Sequence, residues 1–364
     1  MEHNPVPTGR THRLQQALKS IAVGLNPPVR YGLLLVLLIV ALAIRPTGAT
    51  AGPPTSPARP APLPLAGDLN AHDPSLTQVG STWFVLNTGD PAVNGGTIQI
   101  KKSTDRRTFS SVGTVGDEIP AWIRTEIPAV TNLWAPEVYR HGGTYYLYYS
   151  ASSFGSNNSL IALATNTTLD PSAPGYHWVD QGVVWRSRTT DDYNAIDPGI
   201  VEDPQGTPYL TFGSFWSGIR QVKLQWPSGK PAAGVTDPTR IADRQVPPNA
   251  IEAPYLVRHQ GYYYLFVSLD FCCRGADSTY KIAVGRSRSV TGPFTDELGT
   301  PLQRGGGTVI LSSDGPMVGP GGASISGDLL AHHFYDADNG GAITLSIRKI
   351  HWGSGGWPEL TYQH

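Results

Sequence analysis

From about Gly67 to the C terminus, apolar residues come in runs of four to seven β-branched and aromatic positions, bounded by Gly, Pro, Asn and Asp. Thr97–Lys101, Leu160–Thr165, Ser278–Ser287 and Ala342–Ile350 are examples. Such runs predict β-strands. A helical apolar period is almost absent, which excludes the helices that a parallel doubly wound sheet needs between its strands.

The strands recur as a unit. Glycines at 80, 143, 206, 261 and 327 each lead into an aromatic or branched run, at intervals of 55 to 66 residues. Upstream of the first four stand Asp73-Pro74, Ala135-Pro136-Glu137, Asp197-Pro198 and Glu252-Ala253-Pro254, and Gly319-Pro320-Gly321-Gly322 reads as a degenerate fifth copy. A repeat of this length with about four strands per unit predicts an all-β, five-bladed β-propeller, whereas a sandwich would not account for the period. The first strand of a blade lines the central channel, so the residue entering it faces the cavity mouth. Taken as equivalent, the motifs gather Asp73, Asp197 and Glu252 around one axis.

The amino-terminal pattern is different. Arg10, Arg13, Lys19 and Arg30 precede an apolar run from Leu33 to Ile44, and Ala49-Thr50-Ala51 fits a small-residue cleavage site. Residues 1–51 therefore read as an export signal or, uncleaved, a signal anchor that would tether the protein to a membrane. Residues 52–66, rich in proline, read as a stiff linker, and residues 67–364 as the propeller. The product is expected to be secreted and monomeric. Its formal charge of −1 lacks the basic face of a nucleic-acid binder. Only two cysteines occur, the neighbours Cys272 and Cys273. They suit a vicinal bridge in an oxidising compartment, or two free thiols beside a turn, better than a metal site.

Three acids at one cavity can divide the work of glycoside hydrolysis. An ionised carboxylate draws a proton from water, and one kept neutral by burial donates a proton to the leaving oxygen. An isolated Asp-Pro or Glu-Ala-Pro merely starts a turn. Three such acids in a chain rich in Trp and Tyr, residues that also suit sugar faces, favour catalysis.

These stretches resemble glycoside hydrolase family 43, especially its endo-acting α-1,5-L-arabinanases. The resemblance spans about residues 68–360 and rests on His72-Asp73-Pro74-Ser75, Leu133-Trp134-Ala135-Pro136-Glu137, Ser153-Phe154-Gly155-Ser156-Asn157-Asn158-Ser159, Tyr193-Asn194-Ala195-Ile196-Asp197-Pro198, Phe212-Gly213-Ser214-Phe215-Trp216-Ser217-Gly218 and Ala250-Ile251-Glu252-Ala253-Pro254-Tyr255. Cys272-Cys273-Arg274-Gly275 and His333-Phe334-Tyr335-Asp336 also look like that branch. The resemblance implies Asp73 as general base, Glu252 as general acid and Asp197 as the residue that raises the pKa of Glu252 and fixes its position, with inversion at the anomeric carbon. It implies Trp134 and Phe154 as stacking surfaces, and Gly155, Asn194, Ser214 and Trp216 as neighbouring contacts to arabinan or another pentose polysaccharide. No organic cofactor is implied.

A histidine in the context of His333 faces a central ion in the resembling enzymes, usually calcium. The other reading is a buried imidazole satisfied by hydrogen bonds, and strand alternation aims His332 at the opposite face. Many arabinanases carry a histidine where this chain has Gly322. His72 either positions substrate or only packs. The Asn157-Asn158-Ser159 glycosylation pattern falls in the candidate loop and reads as chance. Exo-acting α-L-arabinofuranosidase or β-xylosidase action is the near alternative, and a non-catalytic carbohydrate-binding propeller the alternative of another class.

Overall fold

The structure, a computed structural model, describes residues 61–361. The expected export signal and most of the proline-rich segment lie outside the described residues.

Five antiparallel sheets, each contiguous in sequence, form five blades of a β-propeller. The first blade comprises strands Ser75–Val79, Thr82–Asn87, Gln99–Ser103 and Thr108–Thr114; the second, Trp134–His141, Thr144–Ala151, Ser159–Asn166 and Val179–Ser187. The third is built on Gly199–Glu202, Pro208–Phe212 and Ile219–Gln225, flanked by the short Lys230–Pro231 and Thr239–Ala242. The fourth comprises Ile251–His259, Tyr262–Leu269, Lys281–Ser287 and Thr308–Leu311; the fifth, Met317–Ser326, Leu329–Asp336, Ala342–Trp352 and Pro358–Thr361. Among the described residues the one α-helix, Ala121–Glu126, lies between the first two blades in sequence.

The five strand-leading glycines close the first hairpin of every blade, all in the left-handed region: Gly80 (60°), Gly143 (86°), Gly206 (77°), Gly261 (80°) and Gly327 (64°). Around the first four there is open space, so backbone conformation rather than crowding selects glycine there.

The aromatic second strands bury both faces, because each blade is sandwiched between neighbours. Leu147 and Tyr149 pack with Leu86 and Ile100 of the first blade, whereas Tyr146 and Tyr148 pack with Leu210 and Phe212 of the third. Likewise Tyr263 and Leu265 face the third blade, and Tyr264 and Phe266 the fifth. A strand with period-two alternation and apolar residues on both sides therefore reads as an unbroken apolar run.

Among the described residues no strand is exchanged between the last blade and the first. Their junction is filled by Leu76, Trp83, Val85, Leu329, Ala331, Leu345 and Ile347. The chain before the first blade ties the two together. Leu63 N–H donates to Ile347 C=O (2.8 Å), Leu345 N–H donates to Leu69 C=O (2.7 Å), and Ala66–Gly67 pair in parallel with Thr108 and Phe109. The propeller thus begins by Leu63, a few residues earlier than the expected boundary at Gly67. Leucines at 63 and 65 supply apolar side chains that a solvated linker would not bury.

Candidate active site

In the second and fourth blades the first strand carries one extra residue near its start, so pairing slips from Trp134↔Ser150 to Glu137↔Tyr148 and from Glu252↔Ser268 to Tyr255↔Phe266. In the fifth blade it slips twice, from Val318↔Tyr335 to Gly321↔His333 and again to Ser324↔Ala331. The residue at this place is left-handed in every blade: Asp73 (49°), Ala135 (44°), Asp197 (60°), Ala253 (49°) and Gly322 (65°). In the fifth blade Gly319 is left-handed as well (57°), but it is Gly322 whose N–H reaches the preceding blade, so the slot belongs to Gly322-Ala323. Glu252 also stands one residue before its slot, which Ala253 fills. Two acids, not three, are strictly equivalent.

The bulge turns the N–H of the slot residue away from its own sheet and across to the preceding blade. Ala135 N–H donates to Thr88 Oγ1 (3.0 Å), Asp197 to Ser150 Oγ (3.0 Å), Gly322 to Ser268 Oγ (3.0 Å) and Asp73 to His333 Nδ1 (3.2 Å). The third blade breaks the series, because Gly213 holds the acceptor position and a Cβ there would lie 2.5 Å from Gly218 C=O. Ala253 N–H turns instead to Asp197 Oδ2, at 3.1 Å. That bond places the Asp197 carboxyl beside the strand bearing Glu252. A ring of inter-blade hydrogen bonds thereby holds a left-handed conformation that costs a non-glycine residue about 1–2 kcal/mol.

The three acids meet in different environments. Asp73 and Asp197 line one central cavity with Ala135, Glu137, Ala253 and Gly322. Asp73 Oδ2 pairs with His72 Nδ1 (2.7 Å) and accepts from Thr88 Oγ1 (2.8 Å). Burial pushes its pKa up, but His72, His333 and Thr88 together outweigh burial and hold the carboxyl well below the ordinary range. Its side chain keeps 20% exposure, so water reaches it. Glu252 is buried, accepting from Ser214 Oγ and Tyr280 Oη, both at 2.6 Å. Burial raises its pKa over the opposing effect of these two donors, and the charge of Asp73 adds to the rise. Either hydroxyl can turn to accept a proton from neutral Glu252. Asp197 is pushed upward by burial first and then by Glu252 and Asp73.

Ser214, expected beside the sugar, donates to the acid. Tyr280 did not stand out in the sequence; its ring reaches Glu252 only because residue 321 is glycine, where a Cβ would sit 2.0 Å from the ring. Asn194 is buried, with Oδ1 accepting from Ser159 Oγ at 2.7 Å. Phe154 is 85% exposed and Trp216 39%, large rings with little burial to account for them, while Trp134 is half-buried and Gly155 exposed. Asn157 is buried and donates to the carbonyls of Arg188, Asp191 and Tyr193, which removes it as a glycan acceptor in the folded chain.

His333 is fully buried, and its Nε2 has no hydrogen-bond partner. His72, Asp73 and His333 each bring a ligand atom within 4.8 Å of the others. With the proton on Nδ1, that proton faces Asp73 Oδ1, 3.7 Å away, and Nε2 is open to a cation or water. With Nδ1 accepting from Asp73 N–H, Nε2 carries the proton and cannot ligate a metal. One tautomer thus fits an ion. His332 points away from this group, held by His333 C=O (2.9 Å) and Arg348 Nε (3.3 Å). At Gly322 a Cβ would come within 3.0 Å of His333 Nδ1 and 3.1 Å of Asp73 Oδ1, so the glycine keeps that space clear.

Cys272 and Cys273 are joined by a disulfide. The bridged turn lies against the site: Cys273 N–H donates to Tyr335 Oη (2.7 Å), which in turn pairs with His72 Nε2 (2.9 Å).

A five-bladed propeller that gathers Asp73, Asp197 and Glu252 near its axis has the fold and the acids of a glycoside hydrolase. The sequence profile of the glycosyl hydrolases family 43 matches residues 67–358, and the chain belongs to that family. It is 42% identical over 290 residues to the extracellular endo-α-(1→5)-L-arabinanase 1 of Bacillus subtilis, covering 79% of this chain and 87% of that one. It is 38% identical over 309 residues to the extracellular exo-α-(1→5)-L-arabinofuranosidase of Cellvibrio japonicus, covering 81% and 87%. The solved family 43 endo-arabinanase of Bacillus licheniformis superposes with a TM-score of 0.76 at 41% identity, covering 81% of this chain and 99% of that one.

Proposed function

We propose that this enzyme is secreted and hydrolyses α-1,5-linked arabinofuranosyl bonds of arabinan, acting endo and with inversion. The observation that carries the reading is the contrast between two carboxyls close enough to feel each other's charge. Asp73, water-accessible and held ionised by His72 and Thr88, suits the general base. Glu252, buried among Ser214 and Tyr280, suits the general acid. Asp197, tied to Ala253 N–H, keeps Glu252 in place and favours its neutral form. Phe154 and Trp216 would offer ring faces to arabinose units, with Trp134, Gly155 and Asn194 as neighbouring contacts. A calcium ion would be held by His333 Nε2 in the tautomer that gives up the Asp73 N–H bond to Nδ1, with water completing its shell, and its charge would favour the ionised form of nearby carboxylates.

Endo action is supported by the identity to the Bacillus enzymes, and exo action is the second reading because the Cellvibrio relative is named an exo enzyme. Incubation of the purified protein with linear arabinan, xylan and aryl pentosides tests both, with the first-formed anomer followed by proton NMR. Inverted arabinose-terminated oligosaccharides of mixed length are expected. Arabinose alone would establish exo action, retention would remove the single-displacement scheme, and binding without hydrolysis would leave a non-catalytic propeller.

A further inference from the structure

One chain of hydrogen bonds at the site is longer than acid–base chemistry requires. It runs from Cys273 N–H to Tyr335 Oη (2.7 Å), from Tyr335 to His72 Nε2 (2.9 Å), and from His72 Nδ1 to Asp73 Oδ2 (2.7 Å). Donor accounting gives it a direction. A backbone N–H can only donate, so the Tyr335 oxygen accepts from Cys273 and its one proton is left for His72 Nε2. A neutral His72 then keeps its own proton on Nδ1, facing Asp73. The ring is also clamped from the side, stacked on His333 with centroids 3.8 Å apart.

At the far end Cys273 holds a left-handed backbone (φ 64°) unusual for a non-glycine residue. The covalent bond to Cys272 closes the turn that presents this N–H, and Sγ of Cys273 lies 3.8 Å from His72 Nε2. Opening the bridge frees the turn to leave the left-handed region, which withdraws the donor from Tyr335 and releases His72.

We propose that Tyr335 and the bridged Cys272–Cys273 turn are positioning residues that hold Asp73 through His72, so that turnover is full only while the bridge is closed. The proposal rests on the reading of Asp73 as the general base. A phosphine reductant opens the bridge: with one water it takes up the oxygen as phosphine oxide, and the S–S bond becomes two thiols. No other cysteine exists in the chain to confuse the result.

The test compares kcat and KM on linear arabinan for the untreated protein, the phosphine-treated protein, the Cys272→Ser/Cys273→Ser double variant and Tyr335→Phe, with thiols counted by alkylation and mass spectrometry. No free thiol is expected before treatment and two after. Reduction should lower kcat about tenfold and leave KM within about twofold, the pattern of a displaced base rather than a lost sugar contact. Tyr335→Phe should fall similarly, and the double variant should start low and ignore the phosphine. Reduced protein with two counted thiols and undiminished kcat overturns the proposal, even if the double variant does not fold. A rise in KM alone overturns it too, making the turn a wall of the cleft. Asp73→Asn run in parallel separates the layers: if it retains turnover the base assignment itself fails, whereas an inactive Asp73→Asn beside a reductant-indifferent wild type removes only the coupling.

Discussion

Ser214 Oγ donates to Glu252 Oε2 across 2.6 Å, joining the loop after the second strand of the third blade to the first strand of the fourth. The backbone repeats the link as an isolated bridge between the same two residues. The candidate acid is therefore placed by its neighbour as much as by its own blade. Glu252→Gln and Asp73→Asn are each expected to lower kcat by about 10²–10⁴-fold with little change in melting temperature. Ser214→Ala should cost less, roughly tenfold, because Tyr280 still holds the other oxygen. Steady-state kinetics with parallel melting curves check all three, and a Glu252→Gln enzyme at wild-type turnover would exclude Glu252 as the acid.

Asp197 has two separable duties, since its Oδ2 accepts Ala253 N–H and its carboxyl faces Glu252. Asp197→Asn keeps an acceptor and loses the acid; Asp197→Ala loses both and strands a buried N–H. The alanine variant should be about 1–3 kcal/mol less stable than the asparagine variant, while both lose most activity. Chemical denaturation resolves the difference, and equal stabilities would mean that the N–H finds another partner.

Glu137 links stability to pH. It is buried in the channel wall, with Ser75 Oγ donating to its Oε2 at 3.2 Å, and burial pushes its pKa up to about 8. Its folded pKa is above the unfolded one, so the folded state holds the proton more tightly. The resulting stability is complete below the unfolded pKa, near 4.3, and is lost as pH rises to about 8, with a limiting slope of roughly 1 kcal/mol per pH unit. Glu137→Gln should flatten that decline between pH 5 and about 8. Melting temperatures across the range decide the matter, an unchanged slope in the variant assigning the decline to other groups.

Chelation addresses His333. If Nε2 holds a cation, exhaustive treatment with EDTA should lower both the melting temperature and turnover, and added calcium should restore them. His333→Ala should then abolish the response to EDTA. Indifference of the wild type would leave Nε2–H as a donor to water.

Much of this architecture was legible because its period is enforced by backbone chemistry. A tight hairpin needs a left-handed residue, and five glycines at regular intervals report five hairpins directly. Register inside the fifth motif was not legible. Proline served as the marker, yet what defines the slot is the N–H turned to the preceding blade, and Gly322-Ala323 supplies it without proline. The one-residue offset of Glu252 was hidden for the same reason, since local sequence does not say which residue of Glu-Ala-Pro is extruded. Three of the inter-blade acceptors were missed although a spacing betrays them: Thr88, Ser150 and Ser268 fall seven or eight positions after the hairpin glycines, as His333 falls six after its own. Tyr280 left no such trace, because its reach to Glu252 depends on Gly321 in the next blade.

The tie between Leu63 and Ile347 has a temporal consequence. The partners that seal the circle are synthesised almost a whole chain apart, so the first blade must wait, its edge unmatched, until the fifth has arrived. Completion is a late event with a large entropic search. A chain cut short within its last blade would be left as an open horseshoe, with the aromatic seams between blades exposed to its neighbours.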